Sequence, residues 1–421
     1  MGKSLEEQKQ VFLKRGHEIC RVCGSSELFT GMSLGELPIA NELSTHEQEA
    51  TEVFELTLMI CSICGLGQVG EEIPPSRLFG DYRYMSSVSS IFLEHALGFT
   101  KKLLPQINKD SGDWVLEIAS NDGYLLQFLT NESISVLGVE PATNIAEYAN
   151  KRGIPTLNKF FSAKLAKEIL EERGFPRFIV ANNVLAHVPD INDFVEGISV
   201  LTGPNTRVSI ENPSIMNILE GGQFDTIYHE HFSYLSANTM QAIARVNYLS
   251  LYEVEEISIH GGSNRYWLSR IGATKIEPSV KRISELETLA GLYKKDCWEN
   301  AQRNMENSIF EFKNLLRITK ESGGIFCGYG AAAKSSTILN MAAVTKNDFS
   351  SIADESTEKQ GRFLPAMNIP IESPDQMFRR LPTDIVIFPW NIEEEIKAKI
   401  ASGCQEKVNI WKLIPNLSRI S

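Results

Sequence analysis

The stretch Asp225-Thr226-Ile227-Tyr228-His229-Glu230-His231-Phe232-Ser233-Tyr234 holds two histidines, two acids and two phenols in ten residues. Such a density suits acid–base work. A histidine exchanges a proton near neutral pH, a nearby glutamate fixes its tautomer, and a tyrosine stabilises an oxyanion. Two blander readings stand beside this one. H-x-H could hold a metal, but a helical zinc pair wants H-E-x-x-H, and residues two apart share a side only in an extended segment. The group could also be a purely structural cluster.

A second chemical stretch is Asp113–Leu129. Trp114–Ile118 is an apolar run with Glu117 near its end, which reads as a buried parallel strand. The polar loop Ala119-Ser120-Asn121-Asp122-Gly123 follows, and Tyr124–Leu129 has helical spacing. A strand that turns into a helix aims backbone N–H groups at a ligand above the sheet, and Gly123 allows close approach. The next strand ends in Glu140, where a carboxylate can accept from both hydroxyls of a ribose. A nicotinamide dinucleotide usually needs G-x-G-x-x-G so that its pyrophosphate can nestle against bare backbone. Here Ala119 and Asn121 fill the first two glycine places. S-adenosylmethionine (SAM) has no phosphate and tolerates that loss, and Glu117 can face its ammonium group, so SAM is the expected ligand. The candidate cofactor residues are Glu117, Ala119, Asn121, Gly123, Tyr124, Glu140, Asn182, Asn183 and Ser87.

The chain has seven cysteines. Cys20-x-x-Cys23-Gly and Cys61-x-x-Cys64-Gly each fit a tight turn with two thiolates facing one point, and 37 residues separate them. Together they make a tetrahedral, four-thiolate zinc site with no open position for catalysis. A redox dithiol or a disulfide pair is the competing reading. A domain this small has little core of its own, so a structural metal is physically useful. Cys297, Cys327 and Cys404 are expected to be reduced packing residues.

These residues need elements to hold them. The 421 residues suggest two or three domains. Residues 1–19 read as charged and partly helical, and 90–108 as one amphipathic helix. Strands are expected at 114–118, 134–139, 178–182 and 206–211, with helices at 123–130, 142–152, 162–173 and 190–202. This alternation makes an open, doubly wound sheet whose ligands sit at the strand tips. Leu249–His260 and Asn264–Arg270 are joined by Gly261-Gly262-Ser263 and read as a closing antiparallel hairpin. Residues 81–89, with Tyr82, Tyr84 and Ser87, form either a polar connector or a loop over the SAM site. Residues 277–322 read as a charged helical connector with a solvated face. A smaller α/β unit then begins. Its turn Gly328-Tyr329-Gly330-Ala331-Ala332-Ala333-Lys334-Ser335-Ser336 reads as a phosphate cradle or a plain structural turn, and the P-loop spacing is absent.

Net charge is −12, which argues against a general nucleic-acid binder. No apolar run approaches the ~20 residues of a membrane span. The opening MGKSLEEQKQ has no apolar core like that of a signal peptide, so a cytoplasmic location is expected.

CRVCG, CSICG, DYRYMSSVS, LEIASNDGYLL, VEPATNIA, NNVLAHVPD, IENPS, YHEHFSYLS, HGGSNR, GYGAAAKS and DESTEKQGRFLPAMNIPI together cover nearly the whole chain. They resemble the sugar-nucleotide C-methyltransferases, in particular the C-3 methyltransferases of deoxysugar biosynthesis. The resemblance implies an α/β protein in three parts. These are a four-cysteine zinc-binding domain (1–80), a Rossmann-like SAM methyltransferase domain with a mostly parallel sheet and terminal hairpin (81–272), and a carboxy-terminal α/β sugar-nucleotide domain (273–421). It places Tyr82, His187, Tyr228, Glu230 and His231 in the active site, with His231 as general base. It implies an NDP-4-keto-sugar substrate, expected to be thymidine-linked, bound with help from Tyr84, Asn212, Ser263, Asn264, Arg265, Lys334 and Ser335. A monomer or homodimer is expected. Rival readings are an O- or N-methyltransferase on a similar sugar, or an inactive zinc-ribbon scaffold.

Overall fold

The computed structural model describes residues 18–47, 51–70, 73–74, 77–78, 85–404 and 407–421. The helix expected at the amino terminus falls almost wholly outside them, as do Tyr82 and Tyr84.

Three sheets carry the chain. In the first, β1 (Leu28–Pro38), β2 (Val53–Cys61) and β3 (Gly67–Val69) pair antiparallel. The two cysteine turns flank these strands. Each closes with a glycine N–H on the carbonyl of its first cysteine, Gly24 on Cys20 and Gly65 on Cys61, both at 2.9 Å. Both glycines have positive φ (72° and 75°), so they bend the backbone under the sulfur atoms at little steric cost.

The central sheet holds β4 (Trp114–Ile118), β5 (Ser135–Val139), β6 (Thr156–Leu157), β7 (Phe178–Asn182), β8 (Arg207–Pro213), β10 (Leu249–Ile257) and β11 (Ser263–Arg270). Their order is β10-β11-β8-β7-β4-β5-β6, and β11 alone runs against its neighbours. Every residue of β4 and β7 is buried. That is why these strands are continuous apolar runs rather than alternating ones: helices cover both faces. The chain winds outward from β4 to β6, then returns to β7. The crevice at the carboxyl ends of β4 and β7 is therefore the ligand position of the sheet. The short β9 (Ser233–Tyr234) joins the first sheet instead, pairing with β3 through Gly67↔Tyr234 and Gln68↔Ser233.

The third sheet runs β14 (Ile371–Glu372), β13 (Ile352–Ala353), β12 (Phe326–Tyr329), β15 (Asp384–Ile387), β16 (Asn409–Lys412) and β17 (Ser418–Arg419), parallel except for β17.

Two expectations need correction. The helix from Ser90 ends at Leu103, and 3₁₀ turns replace its last residues. Pro105 cannot donate the backbone hydrogen bond that would continue it. Residues 277–322 form two helices, Pro278–Leu289 and Lys295–Glu321, and the second is not a solvated connector. Trp298, Met305, Ile309, Phe312 and Leu316 lie buried along one stripe, in a core shared with β1, β2 and the third sheet. The charges that dominate its composition occupy the other side.

Phe312→Ala should therefore cost about 3–5 kcal/mol, read as a lower urea midpoint. Phe310→Ala, at a residue 65% exposed on the same helix, should change stability by less than about 0.5 kcal/mol.

Candidate active site

A cavity of about 670 Å³ opens at the switch point. Ala119, Asn121, Tyr124 and Glu140 line one end, Asn182, Asn183 and Asn212 the middle, and His187, Tyr228, His231 and Lys334 the other. The cofactor candidates and the histidine cluster thus share one space.

The cofactor end is built from strained backbone and carboxyl groups. Ala119 and Asn121 have φ of 56° and 49°, the left-handed region that a glycine-rich loop would fill with glycine. Asn121 N–H donates to Glu140 Oε2 at 3.0 Å, and Ala142 N–H to Oε1 at 2.9 Å. Glu140 is thereby aimed, with lone pairs remaining for ribose hydroxyls. Gly123 does not line the cavity. It makes the turn (φ 78°), and a Cβ there would lie 2.4 Å from Ile154. Glu117 also lies outside the lining, buried in β4, and neither carboxyl oxygen has a partner. Burial foremost, then the charges of Asp122 and Glu140, push its carboxyl well above the usual range. The side-chain oxygens of Asn182 and Asn183 are likewise buried and unpartnered. Orphaned acceptors beside a cavity fit a ligand that brings an ammonium group and hydroxyls.

Residues 86–88 fold over this loop. Ser86 N–H donates to Asn121 Oδ1 at 2.9 Å, and the Ser87 hydroxyl donates to Asp122 Oδ2. Ser86 lines the cavity. Ser87, the sequence candidate, instead spends its hydroxyl on Asp122.

At the far end His231 Nδ1 lies 2.9 Å from the Thr226 carbonyl oxygen, and Nε2 lies 2.7 Å from the Tyr228 hydroxyl. A carbonyl can only accept, so Nδ1 carries the hydrogen, and neutral Nε2 accepts from Tyr228. Glu230 was expected to orient this ring, but Thr226 does so. The Glu230 carboxylate turns to Asn41 Nδ2 at 3.0 Å, and burial raises its pKa. Its carbonyl oxygen takes the hydrogen of His187 Nδ1 at 2.8 Å. The His187 and His231 rings pack edge to face with centroids 4.6 Å apart. Burial lowers the His187 pKa against a smaller opposing effect from that hydrogen bond, favouring the neutral ring.

The substrate candidates divide. Asn212 faces the cavity, its oxygen on Ala186 N–H and its Nδ2 buried and unpartnered. Lys334 lines the cavity too. Arg265 does not. It lies buried on Glu211 at 2.6 Å, 3.3 Å from His95 and 3.8 Å over the Phe99 ring. Ser263 bonds Ile259 O, and Asn264 bonds the Tyr266 hydroxyl. All three sit along β11, away from the lining. Ser335 is buried with its hydroxyl on the Ala332 carbonyl. The Ala331 N–H expected to meet a phosphate already meets Asp354 Oδ2 at 2.9 Å, and Lys359 pairs with the same oxygen. The chain's own carboxylate fills that cradle.

The four sulfur atoms of Cys20, Cys23, Cys61 and Cys64 lie within 4.8 Å of one another. Cys20–Cys64 is 3.5 Å and Cys23–Cys61 is 3.6 Å. Four converging thiols, each on a glycine-closed turn, fit a tetrahedral zinc ion.

Family models match the chain in series: "Putative zinc binding domain" over 20–79, "Methyltransferase domain" over 92–248 and "C-methyltransferase C-terminal domain" over 258–415. The C-methyltransferase NovU of Streptomyces niveus is 31% identical over 380 residues, 90% of each chain. Among solved structures, magnesium protoporphyrin IX methyltransferase of Synechocystis PCC 6803 with bound SAM is 13% identical with a TM-score of 0.32, covering 46% of this chain and 88% of its own. The PH0226 protein of Pyrococcus horikoshii OT3 is 13% identical with a TM-score of 0.34, covering 46% and 97%. At those scores the structural likenesses carry no inference about the site.

Sheet order, cofactor crevice and cysteine cluster define a SAM-dependent methyltransferase with a structural zinc domain. Within that class the chain belongs to the C-methyltransferase family, as its likeness to NovU along 90% of both chains shows. Among the described residues no helix is long and apolar enough to cross a membrane.

Two outcomes follow from this geometry. A cation near Glu117 favours its carboxylate, so binding SAM should release protons. Affinity should then rise with pH until the raised pKa of the Glu117 carboxyl is passed, and level off above it. Calorimetry in buffers of different ionisation enthalpy reads this directly, and Glu117→Gln should abolish the buffer dependence. Removing zinc with a chelator should lower the thermal midpoint, because the domain's core is small; an unchanged midpoint would argue against a structural metal.

Proposed function

We propose that the chain methylates C-3 of a nucleoside-diphosphate 4-keto-deoxysugar, thymidine diphosphate being the expected nucleotide, with His231 as the base. The observation that carries this reading is the 2.9 Å contact of His231 Nδ1 with the Thr226 carbonyl, which calls for a hydrogen on Nδ1 and an acceptor at Nε2 on the cavity side. A sugar C–H is far too weak an acid to be removed unaided. A ketone at C-4 acidifies it, because loss of the C-3 proton gives an enolate.

The Tyr228 hydroxyl occupies Nε2. A substrate ketone would compete for that hydrogen. As Tyr228 turns to the ketone oxygen it frees Nε2 and stabilises the developing enolate. His187, with its hydrogen on Nδ1, presents Nε2 as an acceptor, so its role is to receive a sugar hydroxyl or amine rather than to donate to the oxyanion. Glu230 supports His187 through its backbone. Glu140, Asn182 and Asn183 would hold the cofactor with Glu117 beneath, and Lys334 and Asn212 would meet the sugar nucleotide. SAM, when bound, supplies the electrophilic methyl group for the carbanion. The domain limits in this proposal are 1–80, 81–272 and 273–421, with the sugar nucleotide between the last two, although the helix Pro278–Leu289 packs on the central core through Val280 and Ile283.

Incubation with SAM and a panel of 4-keto sugar nucleotides should give a mass gain of one methyl. In D2O the C-3 proton should exchange, an outcome that an O- or N-methyltransferase does not require. His231→Asn should lower turnover and exchange by at least about 100-fold while SAM still binds. Exchange at near-normal rates in that variant would place the base elsewhere.

A further inference from the structure

The turn Phe224–Thr226 precedes the histidine segment and is a single 3₁₀ turn that packs against the helix Ala333–Met341. Its hydrogen bonds are few: Thr226 N–H and hydroxyl to the Gln223 carbonyl, at 3.1 and 2.7 Å, and Ile227 N–H to Phe224. Yet the Thr226 carbonyl sets the hydrogen position on His231 and also receives the Tyr234 hydroxyl at 3.2 Å. Something must fix where that carbonyl points.

The adjacent residue reaches the other domain. Asp225 is fully buried, and its Oδ2 accepts from Trp390 Nε1 at 2.8 Å, with Lys334 Nζ 3.9 Å away. Both partners come from the third-sheet domain, Trp390 just beyond β15 and Lys334 in the first turn of the helix Ala333–Met341. They also hold each other, the ammonium group standing 4.3 Å from the centre of the Trp390 ring. The far side of the indole is closed by Gly261, where a Cβ would lie 2.1 Å from the ring. Gln223 closes the circuit by donating to the Gly261 carbonyl at 2.8 Å. Asp225 does not line the cavity, whereas Thr226, Tyr228, His231 and Lys334 do.

We infer that Asp225 is a positioning residue for the base: by fastening the Phe224–Thr226 turn to Trp390 and Lys334 it fixes the Thr226 carbonyl, and with it the tautomer of His231. The inference rests on the role proposed for His231. A buried carboxylate with one oxygen unpartnered is costly to keep and is held by these two donors. The same contact makes the position of the base depend on two residues of the substrate-side domain.

The tautomer can be read without any sugar. Full-length protein labelled with nitrogen-15 at histidine gives ring signals that distinguish Nδ1–H from Nε2–H, and His231→Asn identifies which signals belong to His231. The wild type should show His231 as Nδ1–H. Trp390→Phe keeps the ring beneath Lys334 and removes only the donor to Asp225. Asp225→Asn keeps the shape and removes the charge. Trp390→Phe should shift the tautomer ratio of His231 by about fivefold, the effect of one lost hydrogen bond; Asp225→Asn, whose amide oxygen can still accept from Trp390, should shift it less. SAM affinity by calorimetry should stay within about twofold, since neither residue touches that end of the cavity. A Trp390→Phe variant that binds SAM normally and keeps the wild-type His231 signature would overturn the inference, as would an Nε2–H signature in the wild type. If Asp225→Asn fails to fold, Trp390→Phe decides. Failure of the base assignment itself would appear separately, as undiminished C-3 deuterium exchange in His231→Asn.

Discussion

The hydrogen bond from His231 Nδ1 to the Thr226 carbonyl is the contact that orients the histidine ring in the cavity, and it is made by a segment with almost no regular structure. Residues 225–234 are pinned from outside instead. Asp225 is held by Trp390 and Lys334. Glu230 is held by Asn41, and through its carbonyl it supports His187. The Phe232 carbonyl receives the Arg21 guanidinium and Val69 N–H, and Ser233–Tyr234 pair with β3. Each such bond contributes only about 1 kcal/mol net, so no one of them suffices, and the geometry is a property of the assembled domains.

This arrangement gives the zinc domain a physical reason to be present. A closed four-thiolate site offers no position for a substrate. Between its first two cysteines, however, lies Arg21, which reaches into the protein beside the histidine segment and packs near the Phe232 ring. Holding that turn in shape holds Phe232, one residue past His231. The long helix Lys295–Glu321 serves the same end at larger scale, since its buried stripe joins β1 to the carboxy-terminal core.

Legibility in the sequence followed the range of the interactions. β4 and β7 could be read to the residue, because a strand buried on both faces must be an apolar run and the polar loop after it marks its end. The cysteine pairs were equally plain, since metal geometry demands their spacing. The helix Lys295–Glu321 was misread because its charges outnumber the buried stripe and nothing local says what the stripe will meet. Ser335 and Arg265 carry side chains suited to binding a phosphate or sugar, yet each found a partner inside the fold. Composition identifies a donor but does not say where it is used.

The sequence by itself determined the three-part α/β plan, the cofactor loop and the cysteine cluster, because periodicity, glycine placement and residue chemistry are local. Only the tertiary structure decided which side chains share the cavity and which ring nitrogen of His231 carries the hydrogen. That choice is made by a backbone carbonyl, which every residue possesses. Its direction is set by Asp225, Trp390 and Lys334, residues brought together across more than a hundred positions of chain.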